Sequence, residues 1–163
     1  MRLFAIGVFA ILGATVSAWA AENAALVGTW QVTSFTQQLV DNNEIVRPFE
    51  DRVGGYLQYG PGGHMVVFLV GGERNPPAAS TMTEAERAAL FNGIFGAYAG
   101  TYHVDGNKLV HHVVASWNQA WTGTDQVRYF ELNGKNLTIK SAPDVILRYG
   151  RTGVNILTFE KLE

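Results

Sequence analysis

The chain has 163 residues, of which 47% are hydrophobic and 16% are charged, and its formal net charge is −2. This length suits one domain, and the apolar content is enough for a core, which excludes an intrinsically disordered chain. The near balance of 12 basic and 14 acidic residues provides no basic surface of the kind that binds nucleic acids. We therefore expect a globular domain that does not bind nucleic acid. The 18 glycines favour a turn-rich β protein.

Residues 1–20 have the pattern of a secretory signal peptide. Arg2 supplies a positive start, an almost unbroken apolar run follows, and Ala18 and Ala20 form the small-x-small pattern of a cleavage site. The alternative is an uncleaved membrane anchor, for which the apolar run is short. We expect cleavage after Ala20 and a mature domain of residues 21–163 in the periplasm or outside the cell, with no stable membrane insertion.

The residue types needed for several kinds of cofactor site are missing from the sequence. It has no cysteine, which excludes a disulfide framework, lipid attachment at the cleavage point, iron–sulfur clusters and thiolate zinc sites. The adjacent His111 and His112 point to opposite faces of a strand, so they do not chelate one ion. Gly60–Gly63 has the composition of a hairpin turn and not of a nucleotide-binding loop. We expect neither a metal ion nor a cofactor, and the oligomeric state stays open.

Turn signals recur at short intervals along the chain and separate short apolar stretches. This punctuation is typical of an antiparallel sandwich or barrel. The eight predicted strands are Gly28–Thr36, Gly54–Tyr59, His64–Val70, Ala99–Val104, Asn107–Ser116, Gln126–Leu132, Lys135–Ser141 and Val154–Lys161. Residues 37–53 and 142–153 are longer connections, and no domain boundary is evident.

A helix is predicted between the third and fourth strands. Thr83 and Glu86 have the spacing of a capping box, and an Ala-rich stretch follows them. We expect the helix to end near Gly96. The face expected to be apolar contains Leu90, Ile94 and Ala97. The preceding residues 71–82, with Gly-Gly and Pro-Pro pairs, are expected to form an irregular flap.

The first of two predicted hairpins determines which histidine faces the interior. A two-residue turn at Asp105-Gly106 makes Tyr102 oppose Leu109, and directly opposed residues share one face. His111 lies on that largely apolar face, and His112 lies on the polar one. A loop one residue longer reverses the assignment.

The second hairpin places an arginine among apolar side chains. A two-residue turn at Asn133-Gly134 makes Phe130 oppose Leu137 and Arg128 oppose Ile139. A buried guanidinium is costly unless it meets a partner, an aromatic face or an anion. Arg128 and Phe130 are therefore candidate ligand contacts.

A series of short motifs resembles a known family. Leu26–Trp30 contains the Gly-x-Trp that opens lipocalins and fatty-acid-binding proteins. The further motifs are Gly55–Leu57 with Tyr59, Tyr98–Tyr102, Val110–His112 and Gly123–Tyr129. Together they resemble the bacterial and fungal lipocalin-like domain family over nearly all of the mature chain. This resemblance implies an all-β fold: an eight-stranded antiparallel barrel with a central pocket, one of whose openings we expect the helix to cover.

The resemblance also implies a partner for the first-strand tryptophan. In lipocalins this residue packs against an arginine near one end of the barrel, so Trp30 is expected to pair with Arg128, with Arg148 and Arg151 as rivals. In a functional role, Arg128 binds a carboxylate or enolate-like oxygen of the ligand. The alternative is a structural cation–π contact on Trp30.

Further candidate residues each have a structural alternative. His111 is either a general acid/base or ligand donor, or a core histidine bonded to a tyrosine or a backbone carbonyl. Tyr56 and Tyr102 either donate hydroxyls into the pocket or fill the barrel. Trp117 and Trp121 either line the mouth of the pocket or anchor a loop.

Three functions remain open. The first is a binding protein for a small, mainly apolar or amphipathic molecule. Its predicted ligand contacts are Trp30, Tyr56, Tyr102, His111, Trp117, Trp121, Arg128 and Phe130. The second is a cofactor-independent isomerase, cyclase or lyase, in which His111 moves a proton and Arg128 stabilises oxyanion charge. The third is a structural or inhibitory partner protein of the cell envelope.

Overall fold

The protein is a closed antiparallel β-barrel. A computed structural model describes residues 24–77, 79–146 and 148–163. The strands are β1 Gly28–Leu39, β2 Ile45–Val46, β3 Val53–Tyr59, β4 His64–Gly71, β5 Ile94–Asp105, β6 Lys108–Ser116, β7 Asp125–Asn133, β8 Asn136–Ser141, β9 Asp144–Ile146 and β10 Arg151–Lys161. The sheet closes because β1 pairs with β3 on one side and with β10 on the other. Closure pairs the edge strands with each other.

Eight long strands form the barrel, and all eight predicted strands are present. The short β2 pairs with β1, and the short β9 pairs with β10, so these two strands extend the sheet beside the point of closure. Both lie in segments predicted as connections. The expected all-β barrel is confirmed.

Helix α1, Glu84–Asn92, begins as predicted and ends early. The backbone amide of Thr83 donates to Glu86 Oε2 at 2.7 Å, and the amide of Glu86 donates to Thr83 Oγ1 at 3.2 Å. The predicted end near Gly96 is wrong, because Ile94 already pairs with Val70 in the sheet. The predicted apolar face, which included Ile94 and Ala97, is wrong for the same reason. Pairing with β4 satisfies these backbone groups, and α1 itself has no buried residue.

Both predicted hairpins form, with a register that differs from the prediction by two residues. Tyr102 opposes His111, and Phe130 opposes Ile139. The predicted pairs of Tyr102 with Leu109 and of Phe130 with Leu137 are therefore wrong. Glycine takes the first loop position in each turn, with φ of 60° at Gly106 and 59° at Gly134, a conformation that it adopts without strain. A shift of two residues leaves the same side chains facing inward, because side chains alternate with period two.

Side chains fill one end of the barrel around Trp30, which has 0% of its surface exposed. The Trp30 Nε1–H donates to the carbonyl of Leu26 at 2.7 Å. Lys161, directly opposite on β10, places its ammonium 5.2 Å from the centre of the indole ring. The expected pairing of Trp30 with Arg128 is wrong, because the guanidinium of Arg128 lies 6.0 Å from the ring of Trp121 instead.

The predicted signal peptide, residues 1–20, lies outside the described residues. Among the helices that are described, none has the length and apolar character needed to cross a membrane.

Candidate functional site

A cavity of about 400 Å³ occupies the part of the barrel that side chains do not fill. Ligand pockets in proteins generally have volumes of about 300–1,000 Å³. The lining is mostly apolar. Its aliphatic and phenylalanine members include Phe35, Phe49, Leu57, Val67, Leu69, Ile94, Phe95, Ile139, Ile146, Leu157 and Phe159. Asn92, the last residue of α1, also lines the cavity, which puts the C-terminal end of the helix beside it.

Three phenylalanines form an aromatic wall of the cavity. The rings of Phe35 and Phe95 stack with centroids 4.7 Å apart, and Phe49 lies 5.3 Å from Phe95. Phe49 comes from the segment between β2 and β3 and packs against Gly71, where an added Cβ would lie 2.3 Å from its ring. Glycine at position 71 therefore allows the loop phenylalanine to reach the cavity.

Trp117 and Trp121 line the cavity, as do His111 and Arg128. The two indoles meet edge to face with centroids 4.9 Å apart. Trp121 is the last residue of a short 3-10 turn at Gln119–Trp121, and Trp117 lies just before its cap. Asn118 caps the turn by accepting a hydrogen bond from the amide of Ala120 at 3.2 Å. This turn fixes both rings against the cavity, and their contact with a ligand stays a prediction.

His111 faces inward as predicted, with 1% of its surface exposed, and hydrogen bonds to two tyrosines. Its Nε2 lies 2.8 Å from the hydroxyl of Tyr59, and its Nδ1 lies 2.9 Å from the hydroxyl of Tyr98. Burial, and secondarily the charge of Arg128, lowers the pKa of His111 from 6.5 to about 3. The imidazole is therefore neutral around pH 7. His112 faces outward, with its Nδ1 2.8 Å from a carboxylate oxygen of Asp125.

Arg128 is half-buried at the cavity wall, and its hydrogen bonds go to uncharged groups. Its Nη1 donates to the carbonyl of Val127 at 3.0 Å, and its Nη2 donates to Gln126 Oε1 at 3.2 Å. No ion pair between Arg128 and a carboxylate is found within the described ranges. The positive charge of this guanidinium is thus uncompensated by a nearby anion of the described chain.

A strip of polar side chains continues from Arg128 along the cavity wall. Ser141 lies directly opposite Arg128 in the sheet. The Ser141 hydroxyl accepts a hydrogen bond from the amide of Asn155 at 3.0 Å, and Gln37 Nε2 donates to Asn155 Oδ1 at 2.8 Å. Arg148 also lines the cavity, and none of the described lining residues is Asp or Glu. The strip therefore gives the cavity a positive, hydrogen-bonding side.

Four of the predicted ligand contacts do not line the cavity. Trp30 and Phe130 are buried in the packed core, and the Tyr102 hydroxyl donates to the carbonyl of Gly60 at 3.0 Å. Tyr56 is 51% exposed and lies across from the exposed Phe68 on the outer face of the barrel. The expectation that Tyr56 points into the pocket is therefore wrong.

Tyr98 is a site residue that the sequence reasoning does not identify. It lies between the predicted end of the helix near Gly96 and the predicted start of a strand at Ala99. Extending that strand by one residue would have assigned Tyr98 to the same face as Tyr102, because side chains at even spacing share a face. Among the residues that the structure describes, no three His, Asp or Glu side chains are grouped so that they could hold a metal ion.

Comparison with known proteins agrees with this architecture. No curated protein matches the chain. The family model of the lipocalin-like domain matches residues 27–162, which include the ten strands that the structure describes. The chain therefore belongs to the lipocalin-like domain family.

Proposed function

We propose that this protein binds one small, mainly apolar molecule inside its barrel. The observation that carries the proposal is the cavity of about 400 Å³, which combines an aromatic and aliphatic wall with a short polar strip. Removing apolar ligand surface from water supplies affinity, at about 25 cal/mol per Å² of surface buried. The polar strip then selects one orientation of the ligand, because only one end of an amphipathic molecule satisfies Arg128 and its neighbours.

We propose further that binding takes place in the periplasm or outside the cell. The support for this location is the pattern of residues 1–20, in which Arg2, an apolar run and the Ala18-x-Ala20 site follow one another in the order of a secretory signal.

The contacts of His111 favour binding over proton transfer. Both ring nitrogens are engaged by tyrosine hydroxyls, and a pKa of about 3 makes the imidazole a weak base near neutral pH. A general base works best when its pKa lies close to the operating pH. We therefore assign His111 to the organisation of the site.

A neutral fluorescent probe tests the binding function. N-phenyl-1-naphthylamine is expected to bind wild type in one saturable step with increased fluorescence, because its apolar rings fit between the aromatic walls. Val67→Phe is expected to abolish this binding, because Val67 lines the cavity and the larger ring occupies it.

Val66→Phe is the matched control, since Val66 is the adjacent residue and is exposed on the outer face. It is expected to bind the probe as wild type does. Equal binding by a folded Val67→Phe variant would place the site elsewhere. If wild type binds no probe and carries no small molecule in native mass spectrometry, the proposal fails.

A further inference from the structure

The hydroxyl of Tyr59 is buried and lies 2.8 Å from His111 Nε2. Among the described residues this is the one hydrogen bond that the Tyr59 hydroxyl makes. A buried O–H that donates to nothing has lost its hydrogen bond to water without a replacement, which is unfavourable. The Tyr59 hydroxyl therefore donates its proton to Nε2, because the opposite direction leaves that proton without an acceptor.

This direction fixes the tautomer of His111. A neutral imidazole carries one proton, so an Nε2 that accepts from Tyr59 requires the proton to be on Nδ1. Nδ1–H then donates to the Tyr98 oxygen, 2.9 Å away. The tautomer is thus set from the closed side of the barrel by a tyrosine that does not line the cavity.

The Tyr98 oxygen accepts from His111, so its own O–H proton is left to be donated elsewhere. Tyr98 lines the cavity, and its phenol oxygen lies 2.9 Å from His111 Nδ1. Burial raises the pKa of Tyr98, while the charge of Arg128 and a hydrogen bond to it oppose that rise. Tyr98 therefore stays protonated at neutral pH and presents a donor beside a guanidinium.

We propose that the Tyr98 hydroxyl and the Arg128 guanidinium together bind a carboxylate on the ligand, with His111 and Tyr59 as positioning residues. The Tyr98 hydroxyl and the Arg128 guanidinium are hydrogen-bond donors at the same part of the cavity wall, so they favour a ligand group that accepts hydrogen bonds. The uncompensated positive charge of Arg128 favours an acceptor that is an anion. The proposal rests on the proposed binding function and specifies its ligand class: an apolar body with one carboxylate end.

Three competitors with the same naphthalene body test this ligand class. 2-Naphthylacetate, 2-(2-naphthyl)ethanol and 2-(2-naphthyl)ethylamine are titrated against protein that has been loaded with N-phenyl-1-naphthylamine at pH 7. The carboxylate is expected to displace the probe at about tenfold lower concentration than the alcohol, and the amine is expected to be weakest. Equal displacement by all three, with the probe still bound to wild type, overturns the carboxylate proposal. Failure of the probe itself to bind overturns the binding function.

Two variants separate the donors. Tyr98→Phe is expected to reduce the preference for the carboxylate over the alcohol by about tenfold. Arg128→Gln is expected to reduce that preference similarly. Tyr129→Phe is the matched control, because Tyr129 is exposed on the outer face, and it keeps the wild-type preference. An unchanged preference in both folded variants overturns the assignment.

The positioning role has a spectroscopic test that is independent of binding. The imidazole ¹⁵N shifts of His111 are expected to show a proton on Nδ1, a bare Nε2 and no change between pH 8 and pH 5. A proton on Nε2 would mean that Tyr98 donates to the ring, and the proposed donor toward the ligand would not exist.

Discussion

The imidazole of His111 and the phenol of Tyr98 share a hydrogen bond of 2.9 Å at the wall of the cavity. The other ring nitrogen of His111, Nε2, lies 2.8 Å from the hydroxyl of the buried Tyr59. These three hydrogen-bonded side chains extend from the packed core at Tyr59 to the cavity wall at Tyr98. A substitution of Tyr59 is therefore expected to alter the position of the Tyr98 hydroxyl at the cavity wall.

The buried state of His111 predicts a loss of stability in mild acid. Its pKa is about 3 in the folded protein and 6.5 as the ordinary value, so the unfolded chain binds a proton that the folded chain excludes. The contribution of this group is complete above pH 6.5 and is lost as the pH falls toward 3. The free energy of unfolding is expected to fall by about 1.4 kcal/mol per pH unit in that window. Urea denaturation at pH 7, 6 and 5 measures this slope.

His111→Gln removes the titrating group and is expected to flatten the slope between pH 6.5 and pH 5, where few carboxylates titrate. His112→Gln serves as the control, because that exposed ring faces solvent and Asp125. The same slope in wild type and His111→Gln would contradict the lowered pKa.

Substitution of two tryptophans is expected to have different effects: one variant mainly loses stability, and the other mainly loses affinity for the probe. Trp30→Ala leaves a hole in the packed end and is expected to lower the free energy of unfolding by about 3–5 kcal/mol. Trp117→Ala removes a ring from the cavity lining and is expected to reduce probe affinity more than stability. Urea denaturation and probe titration of both variants check this. A Trp117→Ala variant that loses stability and keeps its affinity would show that the ring only anchors its loop.

A close contact of strands β3 and β4 makes Gly55 irreplaceable. Its φ is +121°, and an added Cβ would lie 1.9 Å from the carbonyl oxygen of Phe68. Gly55→Ala is expected to destabilise the protein by about 3 kcal/mol or more, or to prevent folding. Gly54→Ala is the comparison, since a Cβ there meets nothing within 4 Å. Thermal denaturation of the two variants compares their melting temperatures. Equal melting temperatures would disprove the close contact between position 55 and the carbonyl oxygen of Phe68.

The aromatic wall is expected to select flat ligands. Phe95→Ala removes the ring that stacks on Phe35 at 4.7 Å, and affinity for N-phenyl-1-naphthylamine is expected to fall about tenfold. Phe91→Ala changes an exposed ring of α1 and is expected to leave the affinity unaltered. Fluorescence titration compares the two, and equal affinities would exclude Phe95 from the ligand contacts.

Local sequence signals were sufficient for the strands and for the direction of most side chains. Glycine turns mark the hairpins, and the inward assignment of His111 and Arg128 survived a register error because that error was two residues. An error of one residue would have turned both side chains outward.

The parts that were missed depend on contacts between distant segments. Lys161 contacts Trp30 because β10 pairs with β1 to close the barrel, and no local sequence pattern predicts this contact. Phe49 lies in a segment predicted as a connection, yet it reaches the cavity through its packing on Gly71. Tyr98 is not identified because the Ala-rich pattern predicts helix to near Gly96, whereas pairing with β4 already begins at Ile94.

The side chains packed around the fully buried Trp30 close the barrel at one end. A ligand of the proposed kind that contacts Tyr98 would therefore have to leave the cavity by the same route by which it entered. A substitution that widens this route would raise the rates of ligand binding and release together, so it would change the residence time of the ligand while the equilibrium occupancy is still set by the cavity walls.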